Sequence, residues 1–295
     1  MNKVLHIALI LNINKAYDRK IVAGVARYMR EVGNWSLYLE DDPLSKIPDF
    51  DNWDGDGIIA DLDDLAVYNA VKDSSIPLVG FGGGYGPYCK GGKVPYIFTE
   101  NTKIATMAAE HLLDRGFRRF GYCGAPANST NGWSRERREV FNTIVKEKGY
   151  SCANFVGHSP SAKNWHKIQD ELKEWLSSLP LPIGIMAAND SIARHILEAC
   201  QQLEIKIPEE IALIGVDDDE MMCELANPPL TSIIQGTDTL GYKAAELLDC
   251  MMKGEEVAIK TVIDPVGISV RQSTEILAID DKLVAQALAF IRKEA

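Results

Sequence analysis

The sequence predicts an α/β protein built from two doubly wound parallel-sheet lobes. Short apolar runs typical of buried strands alternate with longer segments whose apolar residues recur at helical spacing. Strands separated by helices form parallel sheets through right-handed crossovers. The alternation restarts after Gly116, and 295 residues are enough for two units that each have a core.

In the first half, Gly116 is expected to end a helix, because glycine readily takes the left-handed conformation found there. The predicted strands are 4–11, 35–39, 57–60, 77–81 and 96–98, and the predicted helices are 17–32, 63–71 and 102–115, with a weaker one at 44–50.

In the second half, Gly149 and Gly254 are expected to end helices in the same way. The predicted strands are 120–124, 184–188, 212–216, 260–263 and 266–270, and the predicted helices are 135–148, 164–177, 190–202 and 239–253.

Composition favours an ordinary globular chain, with 46% hydrophobic and 25% charged residues. With a net charge of -11, the chain does not have the excess positive charge of a nucleic-acid-binding protein. It is therefore not a complete DNA-binding protein, unless a basic module is missing. The apolar run 4–11 is interrupted by His6 and followed at once by polar residues, so it predicts a first strand and not a signal peptide. No segment has the roughly 18 continuous apolar residues of a membrane span, and scattered cysteines are typical of a reducing cytoplasm, where we expect the protein.

No cofactor or metal is expected. The glycine-rich run 80–86 fits no dinucleotide-binding frame, and the five histidines have no metal-ligand spacing. The six cysteines form no CxxC pair, which favours free thiols, although three disulfides are possible. A serine nucleophile elbow, G-x-S-x-G, does not occur, but a dispersed Ser-His-Asp arrangement stays open.

Three carboxylates, Asp217 to Asp219, follow the apolar run 211–216. In an open α/β sheet, ligands sit beyond the carboxyl ends of the strands. A carboxylate at that edge only accepts hydrogen bonds, which suits ligand hydroxyls. Gln235 ends another apolar segment after the turn Pro228-Pro229, and we expect it at a neighbouring strand end.

The pattern IGVDD…PPLTSI.Q over 214–235 resembles the effector domains of sugar-responsive LacI/GalR transcription regulators. The segments 12–19 and 54–61, Trp133, 193–197 and the run 271–274 narrow the resemblance to the bacterial regulators of xylose operons. The resemblance covers residues 3–295. It implies a transcription activator that joins a LacI-like sugar sensor to an AraC-type DNA-binding domain, with D-xylose or a related pentose as effector.

The resemblance also implies a periplasmic-binding-protein type I fold, in which the chain crosses three times between lobes and the sugar binds in the cleft. We expect lobe one to comprise 1–117 plus 236–262, and lobe two to comprise 118–235 plus 263–275. The tail 276–295 resembles a linker and the first helix of a truncated AraC-type domain. Its alternative is a plain helix docked on lobe two. If the tail is part of an AraC-type domain, DNA binding requires the missing remainder of that domain. The resemblance also implies a homodimer.

Three sugar ligands are expected in lobe two. Asp217 matches the acidic ligand of the family; its alternative is a helix cap or turn residue. Arg137 matches the arginine of the Arg-x-x-Gly-aromatic motif, with Val140 replacing the glycine, and can donate to two sugar oxygens. A surface salt bridge is its alternative. Asn189 follows a strand and can donate and accept; its alternative is a helix cap.

Five further residues are candidates, and three of them, Gln235, Asn101 and Asp18, have a structural alternative. Gln235 could reach the cleft or brace the crossing. Asn101 could bind sugar or cap a helix, and the same choice applies to Asp18. Tyr17 lies at the same strand end as Asp18. Trp133 could supply the apolar wall that a sugar ring needs.

Two other classes of function share parts of this pattern. A solute-binding protein of a sugar importer has the same fold, but a signal peptide would be expected. An α/β enzyme such as a sugar isomerase or hydrolase is possible without any cofactor motif.

Overall fold

The computed structural model describes residues 3–39, 53–82, 92–126, 131–157, 165–276 and 284. The predicted helix at 44–50, most of the glycine-rich run and all of the tail after Ile276 except Val284 lie outside these residues. The chain divides into two compact units. Unit 1 comprises residues 1–100, 128–133 and 235–265, and unit 2 comprises residues 101–127, 134–234 and 266–295.

Unit 1 contains a parallel six-stranded sheet within the described residues, in the order β11-β5-β4-β3-β1-β2. Its strands are β1 (Leu5–Ile10), β2 (Trp35–Leu39), β3 (Gly57–Asp61), β4 (Leu78–Phe81), β5 (Tyr96–Thr99) and β11 (Lys260–Ile263). Its helices are α1 (Ala16–Val32), α2 (Leu65–Val71) and α8 (Thr237–Met252). The strands β3 and β4 are buried throughout, which explains their continuous apolar sequence.

Helices α1 and α8 pack on the same side of this sheet at very short range. A Cβ added at Gly24 would overlap the carbonyl oxygen of Asp238, and one at Gly241 would overlap that of Ile21. Glycine at these two positions therefore lets the two backbones approach each other. Their apolar faces close over β1, β3 and β4, with Ile21, Val25, Leu240 and Leu248 fully buried.

Unit 2 repeats the same winding, with the order β12-β10-β9-β8-β6-β7. Its strands are β6 (Phe120–Gly124), β7 (Cys152–Val156), β8 (Ile183–Ala187), β9 (Ile211–Val216), β10 (Thr231–Ile234) and β12 (Gly267–Ser269). Its helices are α3 (Asn101–Asp114), α4 (Gly132–Glu147), α5 (Trp165–Ser177), α6 (Asp190–Gln202) and α7 (Glu220–Leu225). The first two residues of α4, Gly132 and Trp133, cluster with unit 1.

Two elements of unit 2 were not predicted. Strand β7 lies at the sheet edge beside β6 and is only partly buried, so its sequence CANFV has no continuous apolar run. Helix α7 has six residues, too few to show helical periodicity.

One strand runs against the predicted parallel arrangement. Strand β12 pairs antiparallel with β10. The chain re-enters the sheet at the carboxyl end of β10, where the N–H of Val266 donates to the carbonyl of Ile234 over 2.8 Å. From that point β12 can only run back along β10. The unit 2 sheet is therefore parallel within the described residues except at this edge.

The boundary between the units differs from the predicted one near residue 118. Helix α3 packs against β8, β9 and β10, and its Leu112 contacts Gly184. Residues 101–117 therefore belong to unit 2, whereas the prediction placed them in lobe one. The end of β11 at Ile263 and the start of β12 at Gly267 place the last change of unit close to the predicted position.

The five cysteines in the described ranges, Cys123, Cys152, Cys200, Cys223 and Cys250, are free thiols, and Cys89 lies outside those ranges. Over the same residues, no group of three or more acidic, histidine or cysteine side chains could hold a metal ion. Among the described helices, none combines the length and the apolar character needed to cross a bilayer.

Candidate functional site

The carboxyl ends of the central strands are where both sheets place polar side chains. In each sheet the chain order along the strands reverses beside the first strand, between β1 and β3 in unit 1 and between β6 and β8 in unit 2. Ligands of doubly wound proteins bind at this switch point.

Arg137 is the buried cation of the unit 2 set. Helix α4 carries it, and only 3% of the residue is exposed. Its Nε donates to Asn101 Oδ1 over 2.8 Å, and an Nη donates to the carbonyl oxygen of Ala188 over 2.8 Å. The guanidinium is thereby fixed directly beyond the end of β8. Because Arg137 is buried, the alternative of a surface salt bridge does not describe its setting.

Asn101 serves as a partner of Arg137 and is itself 2% exposed. Its Nδ2 donates to Glu136 Oε2 over 3.1 Å. One amide thus links the start of α3 to two neighbouring residues of α4, and its observed contacts orient the arginine. Phe141, the aromatic residue of the same motif, is fully buried against Phe120 and Tyr122, as expected for a packing residue.

Asp217 follows β9 in a strained backbone conformation. Its φ is 114°, and that of Asp218 is 48°. Residues other than glycine rarely adopt such angles, and they are concentrated at functional sites. Asp217 is half-buried, so its carboxylate lies at the boundary between the sheet edge and solvent.

Asp190 lies under this turn and was not among the predicted site residues. It opens α6, and its carboxylate accepts hydrogen bonds from the N–H of Asp219 over 2.8 Å and from Ser232 Oγ over 2.6 Å. Burial, and next the charge of Asp217, raise the pKa of Asp190. A sequence signal exists, because a carboxylate directly follows the strand-end Asn189, but a carboxylate at the start of a helix is also typical of a helix cap.

Asn189 is the N-cap of α6. Its Oδ1 accepts from the N–H of Ile192 over 3.0 Å. Capping uses the amide oxygen, and the amide NH₂ can still donate to a ligand hydroxyl. The capping alternative is therefore observed, and the ligand role stays a prediction.

The other side of the 217–219 turn is held by Arg271. Its guanidinium donates to Asp218 Oδ1 over 2.9 Å and to Glu224 Oε1 over 3.0 Å. Asp218 therefore faces a cation, and Asp219 stands at the N-cap position of α7. The two carboxylates that follow Asp217 in the turn therefore have structural positions of their own.

In unit 1, Thr99 and Gln235 are hydrogen-bonding partners. Thr99 Oγ1 at the end of β5 donates to Gln235 Oε1 over 2.7 Å, and both residues are buried. Tyr17 hydrogen-bonds to the same threonine. Burial raises the pKa of Tyr17, so its hydroxyl stays protonated. Gln235 has the bracing contact that was its structural alternative.

Asp18 and Asp61 form the acidic part of the unit 1 set. Asp18 is 1% exposed and accepts from the N–H of Asn12 over 2.8 Å, so it closes the loop before α1 and does not cap the helix. Lys15 Nζ lies 2.9 Å from Asp61 Oδ2 and 4.0 Å from Asp18 Oδ2. Burial opposes the lysine charge, but the two carboxylates outweigh it and raise the pKa of Lys15.

Lys15 and Asp61 were missed as site residues. Both stand in the segments that carried the family resemblance, and Asp61 ends the strand next to the switch point. Trp133 is half-buried at the start of α4 and clusters with unit 1, and its role as an apolar wall stays a prediction.

Comparison with known proteins supports the resemblance. Residues 6–102 match the XylR N-terminal domain family, and residues 109–274 match the periplasmic binding protein-like domain family. The chain is 37% identical over 291 residues to the xylose operon regulatory protein of Escherichia coli K12, an alignment that covers 98% of this chain and 74% of that protein. The chain belongs to the xylose operon regulatory protein family. A second member of this family, from Haemophilus influenzae, is 35% identical over 98% of this chain and 75% of its own length.

Solved structures agree with this family assignment. The structure of a xylose-binding transcription activator superposes with a TM-score of 0.87 and 36% identity, covering 99% of this chain and 75% of that one. A periplasmic binding protein/LacI regulator from Alkaliphilus metalliredigens, solved with D-xylulofuranose, has a TM-score of 0.71 at 21% identity over 91% of this chain and 98% of its own, which shows a shared fold alone. The chain of this xylose-regulator family member thus has the periplasmic-binding-protein type I fold.

Proposed function

We propose that the chain is the sugar-sensing effector domain of a transcription regulator of pentose catabolism, with D-xylose or a related pentose as its effector. The observation that carries this proposal is the arrangement at the switch point of unit 2. A buried Arg137 and a strained, half-buried Asp217 flank the strand ends where a ligand of this fold binds.

The chemistry of these groups suits a small polyol. A guanidinium donates through a planar fork, and a carboxylate accepts from two adjacent hydroxyls. The amide NH₂ of Asn189 adds a donor beside them. A pentose offers several neighbouring hydroxyls, so it can use all three groups.

The choice of a pentose rests on the family. The curated relatives at 35–37% identity are xylose operon regulatory proteins, and the solved relative at 36% identity is described as xylose-binding. Because these relatives are transcription regulators, a solute-binding role in sugar import and an enzymatic role are both less well supported.

The test is isothermal titration calorimetry of the purified chain with D-xylose, D-ribose, L-arabinose and D-glucose, repeated for Asp217→Ala. We expect D-xylose to bind most tightly. Losing hydrogen bonds to a charged group should weaken its binding about 10- to 100-fold in the variant.

Asp170→Ala is a matched control, because Asp170 is an exposed aspartate of the same unit whose side chain is 73% accessible. It should leave the affinity unchanged. Equal affinity in the Asp217→Ala variant would contradict the site. Binding of D-glucose but no pentose would contradict the effector, and turnover of any of the four sugars would contradict the non-enzymatic reading.

We also propose that the ligand signal is read as DNA binding by an AraC-type domain outside the described residues, in a cytoplasmic homodimer. The net charge of -11 supports this, since the chain itself offers no excess positive charge for phosphates. Fluorescence anisotropy with duplex DNA should show no binding by this chain, and sedimentation with D-xylose should show a dimer. Tight DNA binding or a monomer at all concentrations would contradict the proposal.

The remaining ligand candidates, Asn101, Gln235, Tyr17, Asp18 and Trp133, stay proposals of lower weight. Asn101 and Gln235 use observed hydrogen bonds to orient Arg137 and Thr99.

A further inference from the structure

We infer that Asp190 is a positioning residue for the sugar site: it sets the shape of the 217–219 turn and thereby the direction of the Asp217 carboxylate, without contacting the ligand. The inference rests on the proposed function, because it assigns Asp217 the role of ligand. Asp190 itself is 1% exposed, too deeply buried to be a ligand from the sheet edge.

The Asp190 carboxylate is satisfied by the turn and the adjoining strand. Oδ2 accepts from the N–H of Asp219 over 2.8 Å and from Cys223 Sγ over 3.5 Å. Oδ1 accepts from Ser232 Oγ over 2.6 Å. Oδ2 therefore binds residues that follow Asp217 in the chain, and Oδ1 binds a residue of the adjoining strand.

Through Ser232, Asp190 also orients the amide of Asp218, the residue before Asp219 in the turn. Its hydroxyl gives its one proton to Asp190, so its oxygen is free to accept the N–H of Asp218, which lies 2.9 Å away. Asp190 thus orients two successive backbone amides, one directly and one through Ser232. The preceding amide, that of Asp217, donates to the carbonyl oxygen of Ile233 over 3.1 Å.

These three hydrogen bonds act on the two residues with positive φ. A conformation with φ of 114° or 48° in an aspartate persists only when the surroundings over-determine it. Without the Asp190 acceptor, the amide of Asp219 loses its partner and the serine hydroxyl can rotate. The backbone at Asp217 would then relax toward ordinary angles, and its carboxylate would change direction.

The sequence reserves space for this carboxylate. A Cβ added at Gly215 in β9 would overlap Asp190 Oδ1. Because a larger residue would overlap the Asp190 carboxylate, Asp190 requires glycine at this position of β9. The two neighbours in β9, Ile214 and Val216, are large and apolar.

Charge around Asp190 opposes its burial. The charge that acts on Asp190 is that of Asp217, in the turn above it. Burial and Asp217 both raise the pKa of Asp190, while the three hydrogen-bond donors lower it. A buried carboxyl beside another acid is unfavourable for stability. This arrangement is expected for a residue whose role lies in the site.

The test compares Asp190→Ala and Asp190→Asn by calorimetry with D-xylose, alone and combined with Asp217→Ala. We expect Asp190→Ala to weaken binding about tenfold or more, because the turn loses two ordered amides. Asp190→Asn keeps an acceptor for the Asp219 amide and should restore most of the affinity. In the Asp217→Ala background, Asp190→Ala should have almost no further effect.

Two companion variants separate positioning from stability. Asp249→Ala removes a comparably buried aspartate of unit 1, which accepts from Tyr28 Oη over 2.7 Å, and should lower stability while keeping affinity. Gly215→Ala keeps Asp190 but displaces its carboxylate, and should weaken D-xylose binding as Asp190→Ala does.

Each outcome decides the inference. Unchanged affinity in folded Asp190→Ala, or a full additional loss in the Asp217→Ala background, would overturn it. If Asp190→Ala does not fold, the ¹H–¹⁵N shifts of the Asp218 and Asp219 amides in Asp190→Asn and Gly215→Ala report the turn; unmoved shifts would overturn it. Unchanged affinity in Asp217→Ala alone would instead overturn the proposed function.

Discussion

The two units have the same strand order but fix the polar groups at their strand ends by different means. In unit 2 the cation is Arg137, 3% exposed and fixed by an amide oxygen and a backbone carbonyl. In unit 1 it is Lys15, whose side chain is 50% exposed and lies between two aspartates. A guanidinium held by directional hydrogen bonds has one orientation, whereas a half-exposed ammonium can move without losing its charge partners.

The difference shows that topology supplies a place for a ligand and leaves the chemistry to the loops and helices. The switch points of the two sheets lie at equivalent strand pairs, β1 and β3 in unit 1 and β6 and β8 in unit 2. In unit 2, helix α4 provides a rigid donor, Arg137, and the β9–α7 loop provides a strained acceptor, Asp217. In unit 1, the β1–α1 loop provides Lys15, which pairs with Asp61 at the end of β3, and the first turn of α1 provides a hydrogen-bonded tyrosine, Tyr17.

The largest expected effect is that of Arg137→Met. The change leaves Asn101 Oδ1 and the carbonyl oxygen of Ala188 without their donor in a buried setting. We expect a loss of about 2–4 kcal/mol in the free energy of unfolding, and loss of measurable D-xylose binding. Urea unfolding and calorimetry measure the two effects. Arg135→Met, an exposed neighbour on α4, is the control and should change neither.

A smaller effect follows from acid acting on unit 2. His111 on α3 bonds to Thr274 Oγ1 over 2.8 Å, and burial followed by the charge of Arg115 lowers the pKa of His111 to about 4. The unfolded chain, with an ordinary pKa of 6.5, therefore binds a proton first. The stability from neutral His111 is fully present above pH 6.5 and is lost as the pH falls toward 4.

Comparison of the protein with its His111→Gln variant isolates this contribution. Between pH 7.5 and 5.0 the parent should lose about 1–2 kcal/mol more than the variant in urea unfolding. The difference is the relevant quantity, because His195 also has a pKa lowered to about 4 by burial and by Arg194, and it titrates in both proteins. Parallel pH profiles would show that His111 does not make unit 2 acid-sensitive.

The smallest expected effect is that of Lys15→Met. Half-exposed ion pairs contribute little, so we expect a loss of less than about 1 kcal/mol in urea unfolding. Lys72→Met, another exposed lysine of unit 1, should have no effect. A loss as large as that of Arg137→Met would remove the contrast between the units and make the ion pair the main organiser of the unit 1 strand ends.

The amino-acid sequence by itself determined most of the secondary structure. Strands β2, β6 and β11 and helix α6 have the predicted bounds, and most others differ by one to three residues. Their periodicity is local, so neighbouring residues suffice to show it. The sequence also placed Asp217 at a strand end, because an apolar run followed by carboxylates marks such an end.

Only the tertiary structure decided which polar groups meet. Arg137 lies 36 residues from its partner Asn101 and 51 from Ala188, and Asp190 lies 42 from Ser232. Such pairs depend on how strands from distant parts of the chain align, which no local pattern records. The membership of α3 in unit 2 and the antiparallel β12 were decided in the same way. Local periodicity fixes elements, whereas packing between distant segments fixes the partners of a buried charge.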